Sequence, residues 1–266
     1  MDFDLRILCD EVTQLTGQVG DFLRKEQLKF TIDKIEIKGK NDFVSYVDKT
    51  SENKIVSKLI ELVPESGFIA EEGTSNKKGA VYNWIIDPLD GTTNFIHGLP
   101  CYAISIALMK NQEIVLGVVH EINLNECFYA WKGSKAYLNG KEINVSAISK
   151  LSDSLIATGF PYYDYQKLDE YMELFKHFMT HTHGLRRLGS AATDLAYVAC
   201  GRFEGFYEYS LHPWDVAAGA FIVQQAGGKV TDFKGENNFI FGKELVAGNA
   251  KGFNRFLTTV QNFMLK

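Results

Sequence analysis

The sequence predicts a mixed α/β fold built from two halves, residues 1–146 and 147–266. Between residues 67 and 138, short apolar runs alternate with turn residues, which is typical of a largely antiparallel sheet. After about residue 147, strand-like and helix-like segments alternate, which indicates an α/β layer with a mainly parallel sheet. Because no repeat or proline-rich linker separates the halves, we expect one compact unit with a shared site.

The first half begins with two predicted helices. Apolar residues recur at steps of three and four from Leu5 to Phe22, which predicts an amphipathic helix, with a short coiled coil as the alternative. A second helix is predicted from about Asp48 to Val63. The segment 27–42 between them is rich in Lys, Asp and Gly and is predicted to be a mobile loop or a short hairpin. Strands follow at 67–70, 82–86, 102–109, 113–120, 126–131 and 136–138.

The second half alternates between the two element types. Strands are predicted at 155–159, 184–188, 203–208, 229–232 and 244–247. Helices are predicted at 167–180, 190–200, 214–226 and 251–264.

The composition is ordinary for a globular protein, since 45% of the 266 residues are hydrophobic and 23% are charged. The net charge of −5, without a basic stripe, argues against a nucleic-acid binder. Four scattered cysteines without CxxC spacing predict reduced thiols and not a zinc or redox site. The acidic N-terminus and the lack of an apolar run of about 20 residues predict a cytoplasmic protein that is not bound to a membrane.

The most informative segment follows the strand predicted at 82–86. There a hydrophobic run meets Asp87, and Asp90 follows in the same turn, just before Gly91 and Thr92. Such a loop presents carboxylates to a divalent cation, and its backbone N–H groups form a nest for phosphate oxygens. The alternative is that Asp87, which precedes a proline, only begins a turn.

Four further acids are candidates, each with a structural alternative. Asp48 and Asp215 stand at predicted helix starts, where either could be an N-cap. Glu71 follows a strand and Glu208 ends one, and both could be surface acids. Carboxylates gathered at one end of a sheet, however, repel one another unless a cation offsets them. An all-oxygen ligand set indicates Mg²⁺ or Mn²⁺, and two such ions about 3.5–4 Å apart would bind a phosphate ester.

Four segments resemble motifs of the inositol monophosphatase family, in the family's order and over essentially the whole chain. Asp87–Phe95 resembles its first signature, and Trp214–Gly219 with 226–228 resembles its second. Ala70–Gly73 matches its Glu-Glu element. The segment 42–48 matches its early Asp-x-Val-Thr-x-x-Asp element, with Ser45 in place of the usual Thr. The resemblance implies a layered α-β-α-β-α sandwich that is usually a homodimer.

The resemblance also implies a role for each matching residue. A first Mg²⁺, replaceable by Mn²⁺, would be bound by Glu71, Asp87 and the Leu89 carbonyl, and a second by Asp87, Asp90 and Asp215. Glu71 would also face a weaker third site and count among the catalytic residues. Thr92, with Asp48, would orient and help deprotonate the attacking water. The remaining substrate contacts would come from Asp90, Gly91, Thr92, Gly189, Ser190, Ala191, Glu208 and Asp215.

The activity that the resemblance implies is a Mg²⁺-dependent, lithium-sensitive phosphomonoesterase. It would act on myo-inositol monophosphates or similar small polyol or sugar phosphates by direct attack of a metal-activated water. Fructose 1,6-bisphosphate and 3′-phosphoadenosine 5′-phosphate are the alternative substrates within the superfamily. An alternative of another class is a role in binding transcription or ribosome-assembly machinery.

Several basic side chains leave alternatives open. The segment 181–183 could place two histidines on one strand face as a transition-metal site, or lie in a surface loop. His212 flanks a signature loop and could contact substrate or simply be packed. The pair Arg186 and Arg187 could attract phosphate, although pairing with acids across an interface is the preferred interpretation. The lysines in 38–40 could close over the phosphate or remain solvated.

Overall fold

Two helices and a small hairpin form the N-terminal part of the fold. The computed structural model describes residues 3–29, 35–37, 43–75 and 77–265, with only the backbone at 35–37 and 43–45. Helix α1 (Leu5–Gln27) and helix α2 (Tyr46–Leu62) confirm the two predicted helices. Strand β1 (Ile35–Ile37) pairs antiparallel with β2 (Phe43–Ser45), so the hairpin interpretation is confirmed there. The lysines in 38–40 and Asp42 lie outside the described residues.

A seven-stranded sheet forms the next layer, in chain order. Only its first pair is parallel, and each later neighbour is antiparallel, so the largely antiparallel prediction is confirmed. A short helix, α3 (Thr92–Ile96), follows the second strand of this sheet. The strands are β3 (Gly67–Ala70), β4 (Tyr82–Asp90), β5 (Ala103–Lys110), β6 (Glu113–Glu121), β7 (Glu126–Trp131), β8 (Ala136–Leu138) and β9 (Lys141–Ile143).

The second half contains a five-stranded sheet with four helices. Its strands are β10 (Leu155–Thr158), β11 (Gly184–Arg186), β12 (Gly205–Tyr209), β13 (Gly228–Thr231) and β14 (Glu244–Asn249). Its helices are α4 (Leu168–His181), α5 (Ala191–Ala199), α6 (Pro213–Gln225) and α7 (Phe253–Met264).

The order of the second sheet is β11-β10-β12-β14-β13. β10 is parallel to β11 and β12, whereas β14 is antiparallel to both of its neighbours. Four strands therefore run in one direction, as the mainly parallel prediction requires, and β14 alone is reversed. The reversal follows from the connection, because no helix crosses back between β13 and β14 within the described chain.

Alternate residues of the two sheets divide the core into layers. Trp84 and Ile86 of β4 pack with α1 and α2, whereas Ile85 between them packs with α5 and α6. On the second sheet, Phe206 faces that same central layer, and Tyr207 packs with α4 and α7. Strand side chains alternate between faces, so each sheet is covered on both sides. The result is the α-β-α-β-α sandwich that the resemblance implied.

Helix α6 lies close to the first sheet because a glycine of β6 leaves room for it. A Cβ added at Gly117 in β6 would lie 2.9 Å from the Ala218 carbonyl oxygen of α6. Helix α6 therefore brings its N-terminal turn over the ends of β4 and β5, where Ser105 Oγ donates to the Trp214 carbonyl at 3.0 Å. None of the helices in the described ranges has the length and apolar character needed to cross a bilayer.

Candidate active site

A cavity of about 340 Å³ opens where β4, the start of α5 and the start of α6 meet. Eleven of the twelve predicted site residues line it: Glu71, Asp87, Leu89, Asp90, Gly91, Thr92, Gly189, Ser190, Ala191, Glu208 and Asp215. The twelfth, Asp48, is buried in the first turn of α2 and is not part of the cavity wall. The fold therefore brings residues from both halves of the chain to one place, while their individual roles stay predictions.

The loop that ends β4 is held by its own hydrogen bonds. Asp87 is only 2% exposed, and its Oδ1 accepts from the Leu89 N–H at 2.9 Å. Thr92 Oγ1 donates to the Leu89 carbonyl at 2.9 Å. Gly91 has φ 92°, and a Cβ there would lie 2.9 Å from the Cys101 carbonyl oxygen. Only glycine fits this turn without strain, and Gly91 and Thr92 both line the cavity.

Contacts across about a hundred residues join this loop to the second half of the chain. Asp90 Oδ2 accepts from Ser190 Oγ and from the Ala192 N–H, each at 2.7 Å. Ser190 is also the N-cap of α5. Asn94 Nδ2 donates to the Leu188 carbonyl at 2.8 Å. Asp90 thus lies at the positive end of α5, which favours a carboxylate there.

Glu208 and Asp215 are the two predicted acids that the second half contributes to the cavity. Asp215 lies in the first turn of α6, and its Oδ2 accepts from the His212 N–H at 2.6 Å. The N-cap itself is His212, so the N-cap alternative for Asp215 is wrong by position, although its carboxylate does satisfy an N–H at the helix start. Glu208 is the penultimate residue of β12 and is 7% exposed. It packs so closely on Gly159 that a Cβ added to that glycine would lie 2.0 Å from the Glu208 carboxyl carbon.

Burial raises the pKa of Asp87, Asp90, Glu208 and Asp215, and repulsion from neighbouring acids adds to the shift at all of them except Asp90. The pKa of Asp87 is well above its usual value, because of burial first and then of the charges on Glu71, Asp90 and Asp215. Burial and Asp90 do the same to the pKa of Asp215. Burial also raises the pKa of Asp90 to about 6, although hydrogen bonds from Ser190 and Ala192 oppose the shift. Since like charges at this spacing are costly, the cluster fits a cation that offsets them.

The pKa of Glu208 is raised to about 8, again by burial first, with Arg187 acting in the opposite direction. A carboxyl that resists ionisation near neutral pH suits contact with an uncharged part of a ligand.

The donor set fits a hard divalent cation. Asp87 and Asp215 each use one oxygen on a backbone N–H, and the other oxygen makes no hydrogen bond to the described residues. Carboxylate and carbonyl oxygens are the ligands that Mg²⁺ and Mn²⁺ prefer. Among the described residues, no three His, Cys, Asp or Glu side chains already stand close enough to ligate one ion.

Several cavity residues have no clear signal in the sequence. Asp194 of α5 is 1% exposed, and its Oδ1 has no hydrogen-bond partner among the described residues. Tyr162 and Tyr163 form part of the rim. Arg187 also lines the cavity and donates from Nη2 to the Tyr162 hydroxyl at 2.9 Å, with its guanidinium 5.3 Å from the Phe160 ring centroid. Of the arginine pair, this member therefore faces the site, whereas Arg186 is exposed on β11.

The histidines of the second half separate into two groups. His212 lines the cavity and stacks on Trp214, with 4.7 Å between ring centroids. His181 ends α4 and stacks on His177 at 4.2 Å. It does not share a strand with His183, because β11 begins only at Gly184, so the strand-borne metal pair is wrong.

Comparisons with known proteins agree with this geometry. The profile of the inositol monophosphatase family matches residues 8–264. The chain is 42% identical over 247 residues to the Nus factor SuhB of Pseudomonas aeruginosa, covering 91% of each protein. It is also 42% identical over 243 residues to the inositol-1-monophosphatase of Rhizobium meliloti, again covering 91% of each. The crystal structure of the suhB protein of Bartonella henselae superposes with a TM-score of 0.90 at 36% identity, covering 96% of this chain and 98% of that one.

Proposed function

This chain belongs to the inositol monophosphatase family, and on that premise we propose that it is a Mg²⁺-dependent phosphomonoesterase of myo-inositol monophosphates or similar small polyol phosphates. The observation that supports it most is the convergence of Glu71, Asp87, Asp90 and Asp215 on one cavity. No purely structural need gathers four acids there, because each raises the cost of ionising the others.

Acidic residues that line the cavity would hold the metal. Glu71, Asp87 and the Leu89 carbonyl would bind one Mg²⁺, and Asp87, Asp90 and Asp215 a second, with Mn²⁺ as a substitute. The Leu89 carbonyl accepts from Thr92 Oγ1 and keeps a second lone pair for an ion. When bound, the ions would make water more acidic and offset charge on the phosphate and the leaving oxygen.

The chain's own groups would position the reactants. Backbone N–H groups of Gly91 and Thr92 would hold phosphate oxygens at the start of α3. Thr92 Oγ1 donates to Leu89, so its lone pairs remain available to accept from a water and orient it. Asp48 would support that step from behind the cavity wall, since it does not line the cavity.

The polyol part of the substrate would lie against the second half of the chain. Glu208 and Asp90 would accept from hydroxyl groups, together with the backbone of 189–191. An uncharged ring suits Glu208, whose raised pKa reflects a wall that disfavours charge. We expect the active form to be a homodimer.

The test is a phosphate-release assay on the purified full chain. The panel contains myo-inositol 1-phosphate, fructose 1,6-bisphosphate and 3′-phosphoadenosine 5′-phosphate, each with Mg²⁺, with EDTA and with Mg²⁺ plus Li⁺. We expect the inositol ester to be the best substrate, with turnover that needs Mg²⁺ and is inhibited by Li⁺. Phosphate release from none of the three would contradict the phosphatase proposal. Preference for either other substrate would contradict only the substrate.

One observation favours a second role: relatives that share 42% and 46% of their aligned residues are named Nus factor or putative Nus factor SuhB. We therefore propose that the chain also binds a component of the transcription machinery. Pull-down from cell extract with wild type and Asp87→Asn tests this. A stoichiometric partner retained by both supports it, and the absence of any such partner contradicts it.

A further inference from the structure

Glu52 lies in the middle of α2 and is 0% exposed, although it carries a carboxylate. It is outside the cavity and matches none of the four motifs. A buried charge is costly unless hydrogen bonds compensate it. Its hydrogen bonds therefore indicate what it does.

All three hydrogen bonds found for the Glu52 carboxylate come from the loop after β3. Oε2 accepts from the Glu72 N–H at 2.8 Å. Oε1 accepts from the Thr74 N–H at 2.8 Å and from Thr74 Oγ1 at 2.7 Å. Bonds of an N–H or O–H to a charged acceptor are stronger than those between neutral groups. Glu52 thus fixes the path of residues 72–74 from inside the protein.

The residue that this loop presents to the cavity is Glu71. Its own N–H donates to the Ile86 carbonyl of β4 at 3.2 Å, and the next N–H along the chain is the one bound by Glu52. The backbone of Glu71 is therefore held on both sides. The chain turns at once beyond it, through Gly73 with φ 68°. Gly73 and Thr74 are exposed, so core packing does not hold this turn.

Helix α2 carries a second buried acid on the same face as Glu52. Asp48 precedes Glu52 by four residues, so the two acids lie on the same face of the helix, one turn apart. Both are buried.

We propose that Glu52 is a positioning residue that holds Glu71 in the orientation needed to bind Mg²⁺. This rests on the proposed function, because it takes Glu71 as a metal ligand. Partners that orient metal ligands from behind typically contribute about 10–100-fold to metal affinity. Glu52 would touch neither the metal nor the substrate.

The test measures the Kd of the full chain for Mg²⁺ by isothermal titration calorimetry, with no substrate present. Glu52→Gln keeps one carbonyl oxygen but presents an NH₂ group to a backbone N–H, which breaks at least one hydrogen bond. We expect the Kd for Mg²⁺ to rise at least threefold, and the Mg²⁺ concentration for half-maximal turnover to rise in parallel. Turnover at saturating Mg²⁺ should recover to near the wild-type value.

Glu204→Gln is the matched control, since Glu204 is a buried acid that accepts from the Leu155 N–H at 2.6 Å away from the cavity. It should lower the melting temperature and leave the Kd for Mg²⁺ unchanged within threefold. A change of less than threefold in Glu52→Gln would overturn the proposal and leave Glu52 a structural residue. If Glu52→Gln does not fold, Thr74→Ala decides by the same threshold, because it removes one donor to Glu52. Wild type that binds Mg²⁺ but releases no phosphate would contradict the phosphatase proposal and leave this one testable.

Discussion

Two groups of buried acids in this protein differ in how their charge is stabilised. Glu52 accepts three hydrogen bonds from one loop. Asp87 accepts one, at 2.9 Å from Leu89, and three other acids act to raise its pKa. A buried carboxylate is stabilised either by hydrogen bonds or by a cation. The comparison separates an acid whose charge is compensated within the fold from acids that we propose to be compensated by a cation, which burial alone does not do.

The largest expected effect comes from removing the charge of Asp87 from the cavity. Asp87→Asn should lower turnover by at least about a hundredfold, since a direct ligand should matter more than the residues that orient ligands. The melting temperature of the metal-free variant should equal or exceed that of wild type, because one of the repelling charges is gone. Phosphate-release assays and thermal melts in EDTA measure the two quantities. A variant that keeps its turnover would show that Asp87 is not a metal ligand.

A Gly159→Ala substitution should act through Glu208. The new Cβ would meet the Glu208 carboxyl carbon at 2.0 Å, so the acid must move away from the polyol site. A misplacement of about 1 Å can cost up to about a hundredfold in rate, and we expect it mainly as a raised KM. Gly17→Ala is the control, because no atom lies within 4 Å of a Cβ there. Equal kinetics in both variants would remove Glu208 from the substrate site.

The stability of the metal-free protein should fall as pH rises. The folded-state pKa values of Asp90, about 6, and Glu208, about 8, lie above the ordinary values, so the folded state binds more protons than the unfolded state in that range. Stability is then lost as pH rises through those values. Thermal melts in EDTA should show a lower melting temperature at about pH 8.5 than at about pH 6.5, and saturating Mg²⁺ should shrink the difference. A melting temperature in EDTA that does not change between these pH values would mean that the folded state does not raise the pKa values of Asp90 and Glu208.

The smallest effect is expected from Ser190→Ala, which removes one of the hydrogen bonds to the cavity acid Asp90. Ser190→Ala removes the hydroxyl that donates to Asp90 at 2.7 Å and caps α5, while the Ala192 N–H remains. Loss of the cap should cost about 1 kcal/mol of unfolding free energy. The Kd for Mg²⁺ should change less than in Glu52→Gln. Denaturant titration and calorimetry measure both. A larger change in Kd than in Glu52→Gln would show that Asp90 depends on this contact.

Much of the fold and part of the site were predictable from local signals. Asp87, Leu89, Asp90 and Thr92 lie within one segment of six residues, and a strand followed by acids and a glycine predicts their shared location. Two short elements, β9 and α3, were missed because they are too short to show a period.

The cavity wall needed tertiary information. Asp194 looks like any polar residue in the first turn of a helix, and only the packing of α5 against the cavity shows its burial. Arg187 was interpreted as an interface residue because nothing local indicates that Tyr162 would meet it. Glu52 shows no signal in the sequence, since its partners lie twenty residues further along the chain.

The most direct test of the central claim is anomalous scattering from crystals of the protein soaked in Mn²⁺. We expect Mn²⁺ in the cavity, bound by Asp87, with Glu71, Asp90 and Asp215 completing the ligand sets. Mn²⁺ found only elsewhere, for example at the stacked pair His177 and His181, would contradict it.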